Sequence, residues 1–287
     1  MKNIIKPMTF PDNVCQGRCY IIYPYFGEDI FRLNSKKFKL YHKGEVVSMN
    51  KKKSNAPIIL VPGFWIGAWA WDDVAAILKE EGYNVKALTL PGLESEDADR
   101  SAVKLSDHVD AISDAVKAVG EPAVLAVHSA AAIPGYVVSD RMPEQIAAMV
   151  YVDTFPSKVA MDPDFDADEF PLPSWEELDE ADIRGMSDEH RTLLRNRAVP
   201  EPGSAVREAP ELSNDRRLDV PSVVICTSHS SDEMKSSIEE GHAWMSGLAE
   251  LHALTYVDLP THHWPMWSRP KELAEVIGNV ARRSSAD

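Results

Sequence analysis

Residues 123–132 read Ala-Val-Leu-Ala-Val-His-Ser-Ala-Ala-Ala, an apolar run that passes through one serine into small, helix-forming residues. The run predicts a buried strand over Ala123–Val127 and a helix over Ala130–Asp140, with Ser129 at the corner between them. In a sharp strand-to-helix turn, the serine hydroxyl stands above the edge of the sheet, and the next backbone N–H points into the same space. A serine here also has a simpler explanation as a helix N-cap, so the rest of the sequence has to decide its role.

The chain from Pro57 onward repeats this alternation of short apolar strands and amphipathic helices. Strands that alternate with helices indicate an α/β fold whose sheet is mostly parallel and carries helices on both faces. The predicted strands are Ile58–Val61, Val85–Leu88, Ala123–Val127, Met149–Val152, Val223–Cys226 and Leu254–Leu259. The predicted helices are Trp71–Glu81, Leu105–Val119, Ala130–Asp140, Asp232–Leu248 and Lys271–Arg282.

Charge divides the chain near residue 54. Residues 1–54 hold 11 Lys and Arg against 4 Asp and Glu, although the whole chain has 30 against 45. We interpret this basic, aromatic arm as an N-terminal extension, which need not be well ordered, ahead of one domain at residues 55–287. The arm contains Cys15 and Cys19, but only His42 accompanies them, so no zinc site is expected. Because the acidic remainder repels phosphates, no nucleic-acid partner is expected either.

Residues 155–219 interrupt the alternation of strands and helices. They hold 17 Asp and Glu, 8 Lys and Arg, several prolines and no convincing strand. A segment of this length inserted into an α/β domain is more often a functional lid than an ordinary loop. We therefore predict a lid at about residues 155–219.

Several classes of protein are excluded by what the sequence lacks. No window approaches the roughly 18 uninterrupted apolar residues that a membrane-spanning helix needs. Three cysteines, one of them Cys226, cannot build a disulfide framework, which favours a cytoplasmic location. No phosphate-binding glycine loop is present, and the adjacent His262 and His263 lack metalloprotease spacing, so neither cofactor nor metal is expected. No pattern indicates an oligomeric state.

Two further segments accompany Ser129 at predicted strand ends. The run Leu60-Val61-Pro62-Gly63-Phe64-Trp65 places a glycine turn after the first core strand, which leaves the Phe64 N–H free to face a substrate oxygen. His263 follows the last strand in the run His263-Trp264-Pro265, and there it can lie over the carboxyl edge of the sheet. These elements, in the order serine then histidine, resemble the α/β-hydrolase superfamily over about residues 57–283.

The resemblance implies a role for each of these residues. Ser129 would be the nucleophile, His263 its general base, and the N–H groups of Phe64 and Ala130 the oxyanion hole. The family pattern Gly-His-x-Pro places His263, rather than its neighbour His262, in the catalytic position.

The sequence departs from the family pattern at the nucleophile. Val127 and Ala131 stand where the family usually has glycines, which are needed because strand and helix approach closely there. Whether the turn stays sharp enough to expose Ser129 therefore depends on how Val127 packs.

Two aspartates compete for the role of the acid. The common family position lies after the strand Val223–Cys226, where Asp232 is the nearest aspartate, although a residue that opens a helix is also explained by capping. Some branches of the family instead use an aspartate after the preceding strand, and Asp153 has that place. A carboxylate at a buried strand end needs a partner such as imidazole, so we favour Asp153 and keep Asp232 as the alternative.

Aromatic residues surround the predicted catalytic positions. Trp65 and Trp264 are direct neighbours of Phe64 and His263, so we expect them in the substrate pocket. An aromatic mouth under an acidic lid favours a neutral, largely apolar, small-molecule ester or lactone. The run Gly67–Trp71 is also similar to one in the small methylesterase and hydroxynitrile-lyase-like hydrolases.

The sequence thus predicts a serine hydrolase, and in particular a carboxylesterase that forms an acyl-enzyme. Two alternatives use the same fold. A lyase or cofactor-free oxygenase would use His263 as a base without a nucleophilic serine. A ligand receptor would bind a small molecule and release no product.

Overall fold

The computed structural model describes residues 55–284, and in the arm before them only the backbone of four strands. These strands form an antiparallel sheet in chain order: β1 (Tyr20–Ile21), β2 (Ile30–Asn34), β3 (Lys37–His42) and β4 (Glu45–Val47). Met1–Lys53 and Ser54–Asp287 are two separate compact units. Cys15 and Cys19, discussed above as metal ligands, lie outside the described residues.

The second unit contains a six-stranded sheet and, among its described residues, one short two-stranded sheet. Its strands are β5 (Ile58–Val61), β6 (Val85–Ala87), β7 (Ala123–His128), β8 (Ile146–Val152), β9 (Glu169–Phe170), β10 (Glu201–Pro202), β11 (Ser222–Cys226) and β12 (Leu254–Asp258). The large sheet has the order β12-β11-β8-β7-β5-β6, and every neighbouring pair is parallel. All carboxyl ends of its strands therefore meet at one edge.

Helices cover both faces of the large sheet. The α-helices of the described residues are α1 (Asp72–Glu80), α2 (Leu105–Val119), α3 (Ala132–Arg141), α4 (Glu180–Ile183), α5 (Asp188–Arg197), α6 (Gly203–Arg207), α7 (Ser231–Glu239), α8 (Ser246–Ala249), α9 (Pro265–Ser268) and α10 (Pro270–Arg283). Alternate residues of β5 point to opposite faces, so Ile59 packs in the core with α2 and α3, and Ile58 packs in the core with α1 and α10. Both isoleucines are fully buried. The predicted strands and the two-sided helical cover are present.

One predicted helix is wrong in length. The expected helix Asp232–Leu248 is divided into α7, a 3-10 turn at Ala243–Met245, and α8. Helix α7 ends at Glu239 because Gly241 has a φ of 75°, a left-handed conformation that closes a helix.

The insertion, residues 155–219, differs from its prediction in one respect. It contains two very short strands, since β9 pairs with β10 in antiparallel register, Glu201 opposite Phe170. The rest of the insertion consists of α4, α5, α6, a 3-10 helix at Asp215–Asp219 and irregular chain. A pattern search could not detect these strands because each has only two residues.

No helix among the described residues is long and apolar enough to cross a membrane. Cys226 is a free, buried thiol, and the expected cytoplasmic location stays a prediction.

Val127 is accommodated by a glycine on the helix that follows the serine. A Cβ added to Gly135 of α3 would lie 2.6 Å from the Val127 Cγ1, closer than two carbons can approach. The space that the family usually gains from a glycine on the strand is therefore gained here from a glycine on the helix. This exchange keeps β7 and α3 in close contact at the serine turn.

We expect Gly135→Ala to lower the free energy of unfolding by about 1–3 kcal/mol, because its methyl group overpacks against Val127. In a Val127→Ala background, the same change should instead raise the stability by up to about 1 kcal/mol, since alanine is the better helix former. Chemical denaturation of the four proteins of this double-mutant cycle measures both effects. Equal effects of Gly135→Ala in the two backgrounds would contradict the proposed contact.

Candidate active site

Two neighbouring strands end in a serine and an aspartate. Ser129 directly follows β7, and Asp153 directly follows β8. The two strands pair so that His128 lies opposite Val152, which makes Ser129 and Asp153 the next pair of positions along the ladder. His263, on the loop between β12 and α9, completes the group, and all three residues line one cavity of about 450 Å³.

The imidazole of His263 joins the other two side chains. Its Nε2 lies 2.8 Å from the Ser129 Oγ, and its Nδ1 lies 2.7 Å from the Asp153 Oδ2. Because an ionised carboxylate only accepts, Nδ1–H donates to Asp153, which leaves the lone pair of Nε2 to accept the serine hydroxyl. This tautomer prepares His263 to take the proton of Ser129.

Burial and charge act in opposite directions on this pair. Burial by itself would raise the pKa of Asp153, but its hydrogen bonds with His263 and Ser228 and the nearby imidazolium hold that pKa well below the usual range. Burial by itself would lower the pKa of His263, but the hydrogen bond and the charge of Asp153, with a further contribution from Asp182, raise it above its ordinary value. An ionised carboxylate thus stabilises the protonated imidazole.

The loop after β11 holds the carboxylate of Asp153. The N–H groups of Thr227 and Ser228 donate to its Oδ1 at 2.8 and 2.9 Å, and the Ser228 hydroxyl donates to its Oδ2 at 2.7 Å. In the common family pattern the acid follows β11. In this chain the loop after β11 instead supplies hydrogen-bond donors to Asp153, which follows β8. The carboxylate of Asp153 thus accepts hydrogen bonds from this loop and also pairs with His263.

The alternative acid lies elsewhere. The side chain of Asp232 is 92% exposed and pairs with Lys235 in the first turn of α7. The structure thus places Asp232 at an exposed helix start, whereas the Nδ1 of His263 is paired with Asp153.

Backbone strain is concentrated at this site. Among the described residues, the non-glycine residues with positive φ are Trp65 at 66°, Ser129 at 53° and Asp153 at 48°. Such conformations cost of order 1–3 kcal/mol each and persist where surrounding contacts determine them. The strain at Ser129 is typical of a turn that presents a nucleophile.

The predicted oxyanion donors lie beside the serine. Phe64 and Ala130 line the same cavity as Ser129, and within the described part of the chain neither of their N–H groups has a hydrogen-bond acceptor. A Cβ on Gly63 would lie 2.6 Å from the Ser129 Cβ, so only glycine lets the loop after β5 come this close. In the described residues both N–H groups are thus without a protein acceptor beside Ser129, and their role as oxyanion donors stays a prediction.

Two other histidines contact this group but have no acidic partner. His128 is buried and donates from Nε2 to the His263 carbonyl oxygen at 2.7 Å. His262 is also buried, and its Nδ1 accepts the Trp264 N–H at 3.2 Å. Burial is the main cause that lowers the pKa of His128 to about 3 and that of His262 to about 4. His262 is therefore a neighbour of the base.

The cavity around the serine is mainly apolar. Trp65 and Trp264, the predicted pocket residues, both line it. Large exposed hydrophobic side chains in the described residues are Val159, Met161 and Trp244, and all of them line this cavity. No Lys or Arg is among the lining residues. The cavity thus offers an apolar rim and no positive charge for an anionic substrate.

Sequence reasoning missed Asp182, a lining residue from the insertion. Its backbone oxygen accepts the His263 N–H at 2.9 Å, and its Oδ1 lies 3.8 Å from the His263 Nδ1. Burial raises the pKa of Asp182. Nothing in the sequence distinguishes this residue from the other acidic residues of the insertion, because its role depends on the fold of that segment.

Asp153, Asp182 and His263 also place three possible metal-ligand atoms within 4.8 Å of one another, and no other such group occurs in the described residues. The short hydrogen bond from His263 to Asp153 uses the atoms that a metal ion would need. The three side chains fit the hydrogen-bonded chain that leads to Ser129 better than a metal centre.

Comparison with known proteins agrees with this architecture. Residues 58–276 match the family described as alpha/beta hydrolase family. Methylesterase 7 of Arabidopsis thaliana is 27% identical over 117 residues, which cover 39% of this chain and 45% of that protein. The chain thus matches less than half the length of this curated relative.

Solved structures share the fold at low sequence identity. An extracellular alpha/beta-hydrolase from a Paenibacillus species, described as homologous to tobacco salicylic acid binding protein 2, superposes with a TM-score of 0.64 at 18% identity. The match covers 79% of this chain and 99% of that one. Tomato methylketone synthase I has a TM-score of 0.60 at 16% identity, with 80% and 98% covered. These matches confirm the predicted fold class.

We expect NMR titration to find that His263 has a pKa above the ordinary value of histidine and that Asp153→Asn lowers it. Asparagine removes the negative charge that raises this pKa, whereas the burial that lowers it remains. The signal is assigned by its loss in His263→Gln, since the chain has nine histidines.

Asp232→Asn is the matched control, because it removes the same charge at the exposed alternative position. It should leave the His263 titration unchanged. A pKa that moves in Asp232→Asn and not in Asp153→Asn would refute the assignment of the acid.

Proposed function

The chain belongs to the alpha/beta hydrolase family, and we propose that it is a serine hydrolase that cleaves carboxylic esters through an acyl-enzyme. The observation that carries this proposal is the unbroken hydrogen-bond chain from the Ser129 hydroxyl through His263 to Asp153. A hydroxyl is a weak nucleophile at neutral pH until a positioned base removes its proton. The Nε2 of His263, at 2.8 Å from the Ser129 Oγ, is such a base.

In the first half-reaction, the Ser129 Oγ attacks the ester carbonyl carbon while its proton passes to the His263 Nε2. Asp153 stabilises the imidazolium that forms. The carbonyl oxygen becomes an oxyanion, which accepts hydrogen bonds from the N–H groups of Phe64 and Ala130. The tetrahedral intermediate then loses its alkoxide, which takes the proton from His263 and departs as the alcohol.

In the second half-reaction, water attacks the acyl carbon, and His263 takes one proton of that water. The same two N–H groups accept the second oxyanion. When the bond to the Ser129 Oγ breaks, His263 returns its proton to the serine, and the carboxylic acid leaves. One donor of an oxyanion hole is worth about 3–4 kcal/mol of the barrier.

The substrate class follows from the lining of the cavity. An apolar rim with Trp244, Met161 and Val159 and the absence of Lys and Arg from the lining favour a neutral, largely apolar ester or lactone. Leu178 and Asp182 of the insertion also line the cavity. We assign to the insertion the role of a lid over the substrate.

The relatives support ester chemistry and also suggest one alternative. Methylesterase 7 is named for ester cleavage, and it shares 27% identity over part of its length. The fold also occurs in a methylketone synthase, which is a reason to test whether His263 acts as a base without acylation of Ser129. A reagent specific for activated serines distinguishes these two functions.

We expect a fluorophosphonate to add one phosphonyl group to the protein, on Ser129, with loss of fluoride. Intact-mass spectrometry with peptide mapping measures this adduct. Ser129→Ala should abolish it, and His263→Ala should slow labelling about 100-fold or more, because the base no longer takes the serine proton.

Ser139→Ala is the matched control: this buried serine of α3 hydrogen-bonds the Tyr136 carbonyl oxygen and has no base beside it. Its labelling should equal that of the wild type. Absence of an adduct on folded wild-type protein, together with retained turnover in Ser129→Ala, would exclude the acyl-enzyme and favour His263 base chemistry.

The apolar rim predicts a preference for long acyl chains. Trp244→Ala should lower kcat/KM for p-nitrophenyl octanoate about tenfold, and for p-nitrophenyl acetate less than about twofold, because only the longer chain reaches the rim. Trp244→Phe, which keeps an aromatic ring, should lose less. Equal losses for the two esters would show that Trp244 does not contact the acyl chain.

A further inference from the structure

Trp65, which follows the proposed oxyanion donor Phe64, is held by the insertion on three sides. Its backbone N–H donates to the Glu201 Oε2 at 3.2 Å, and its indole N–H donates to the Phe170 carbonyl oxygen at 3.0 Å. Its own carbonyl oxygen accepts the Val199 N–H at 3.0 Å. The strands β9 and β10 therefore determine the position of the residue next to the donor.

Trp65 needs such contacts because it has a φ of 66°, a backbone conformation that residues other than glycine rarely adopt. The Trp65 N–H lies in the peptide plane that joins Phe64 to Trp65, so its hydrogen bond to Glu201 fixes the plane next to the one that carries the Phe64 N–H. The orientation of that N–H is the property on which an oxyanion hole depends.

One of the three contacts is chemically unusual. Glu201 is only 1% exposed, and a buried carboxyl group is expensive where a backbone carbonyl would accept the same N–H. The nearby cation, Arg100, forms its ion pair with the exposed Glu169 of β9 at 2.9 Å. Glu201 takes no part in the hydrogen-bond chain that joins Ser129, His263 and Asp153.

We propose that Glu201 is a positioning residue of the oxyanion hole, because its buried carboxyl group accepts the Trp65 N–H and so fixes the turn that follows Phe64. This inference rests on the proposed function. It makes the insertion part of the machinery that stabilises the transition state, in addition to a cover over the substrate.

The protonation of Glu201 gives the proposal a distinctive signature. Burial raises the pKa of Glu201 to about 8, against the smaller opposing effects of the Trp65 N–H and the charge of Arg100. At pH 7 the carboxyl is therefore mostly neutral, and it still accepts the Trp65 N–H. Above about pH 8 it carries a buried negative charge beside the oxyanion loop, which disfavours a second negative charge on the substrate oxygen.

The test compares Glu201→Gln, Glu201→Leu and the wild type, with kcat and KM for p-nitrophenyl acetate measured between pH 6 and 10. In the wild type, kcat should fall above about pH 8. Glu201→Gln keeps an acceptor and cannot ionise, so it should retain kcat at pH 7 within about twofold and lose the alkaline decline. Glu201→Leu has no acceptor and should lower kcat about 10- to 100-fold with little change in KM.

A second measurement separates the oxyanion hole from general damage. Binding of a trifluoromethyl ketone, which forms a tetrahedral oxyanion on the enzyme, should weaken in Glu201→Leu by the same factor as kcat. Glu211→Gln is the matched control, because it makes the same change at an exposed position of the insertion that has no hydrogen bond with Trp65. Its kcat, KM and pH profile should equal those of the wild type.

The outcomes are distinguishable. If Glu201→Leu does not fold, the pH profile of Glu201→Gln still decides. An unchanged alkaline decline in Glu201→Gln, or full kcat in folded Glu201→Leu, would overturn the role of Glu201 while ester hydrolysis stands. A wild type that neither hydrolyses the ester nor accepts a fluorophosphonate on Ser129 would instead remove the proposed function itself.

Discussion

The imidazole of His263 contacts Ser129 with one nitrogen and Asp153 with the other, and in this chain the serine and the aspartate follow neighbouring strands. Parallel strands lie about 4.8 Å apart, and the pairing of β7 with β8 brings both residues to the same level of the sheet edge. Asp153 therefore lies one strand nearer to Ser129 than the position after β11 that the common family pattern uses. The position of Asp153 explains why the loop after β11 supplies N–H donors: the Asp153 carboxylate faces that loop, and Thr227 and Ser228 satisfy its remaining acceptor sites.

Three residues with strained backbone lie at this site, and each is held by a different part of the fold. Ser129 is held by the close contact of β7 with α3, where Gly135 makes room for Val127. Asp153 is held by the hydrogen bonds from the loop after β11. Trp65 is held by the insertion. The sheet, α3 and the loop after β11 thus position Ser129 and Asp153, whereas Trp65 and the backbone of His263 are held by the insertion.

The sequence predicts those features that repeat with a regular period or stand in a fixed order. The strands and most helices follow from apolar periodicity, and Ser129 and His263 follow from their places after predicted strands. The acid could be narrowed to two candidates, because burial of Asp153 and exposure of Asp232 depend on long-range packing. Asp182 and Glu201 could not be identified, since both lie in an acidic segment without periodicity, and their burial arises only when that segment packs on the domain. The compensation of Val127 by Gly135 joins residues on two elements, so neither residue alone predicts it.

Three histidines lie together at this site, yet only one can serve as a base near neutral pH. The rings of His128 and His263 are 4.7 Å apart, so a charge on His128 would repel a charge on His263. Burial keeps His128 and His262 neutral, with pKa values lowered to about 3 and about 4. A neutral imidazole can still donate one hydrogen bond and accept another. His128 donates its N–H to the backbone carbonyl oxygen of His263. Only His263 has a carboxylate partner, which raises its pKa. The contrast between paired and unpaired imidazoles thus assigns the proton to one ring.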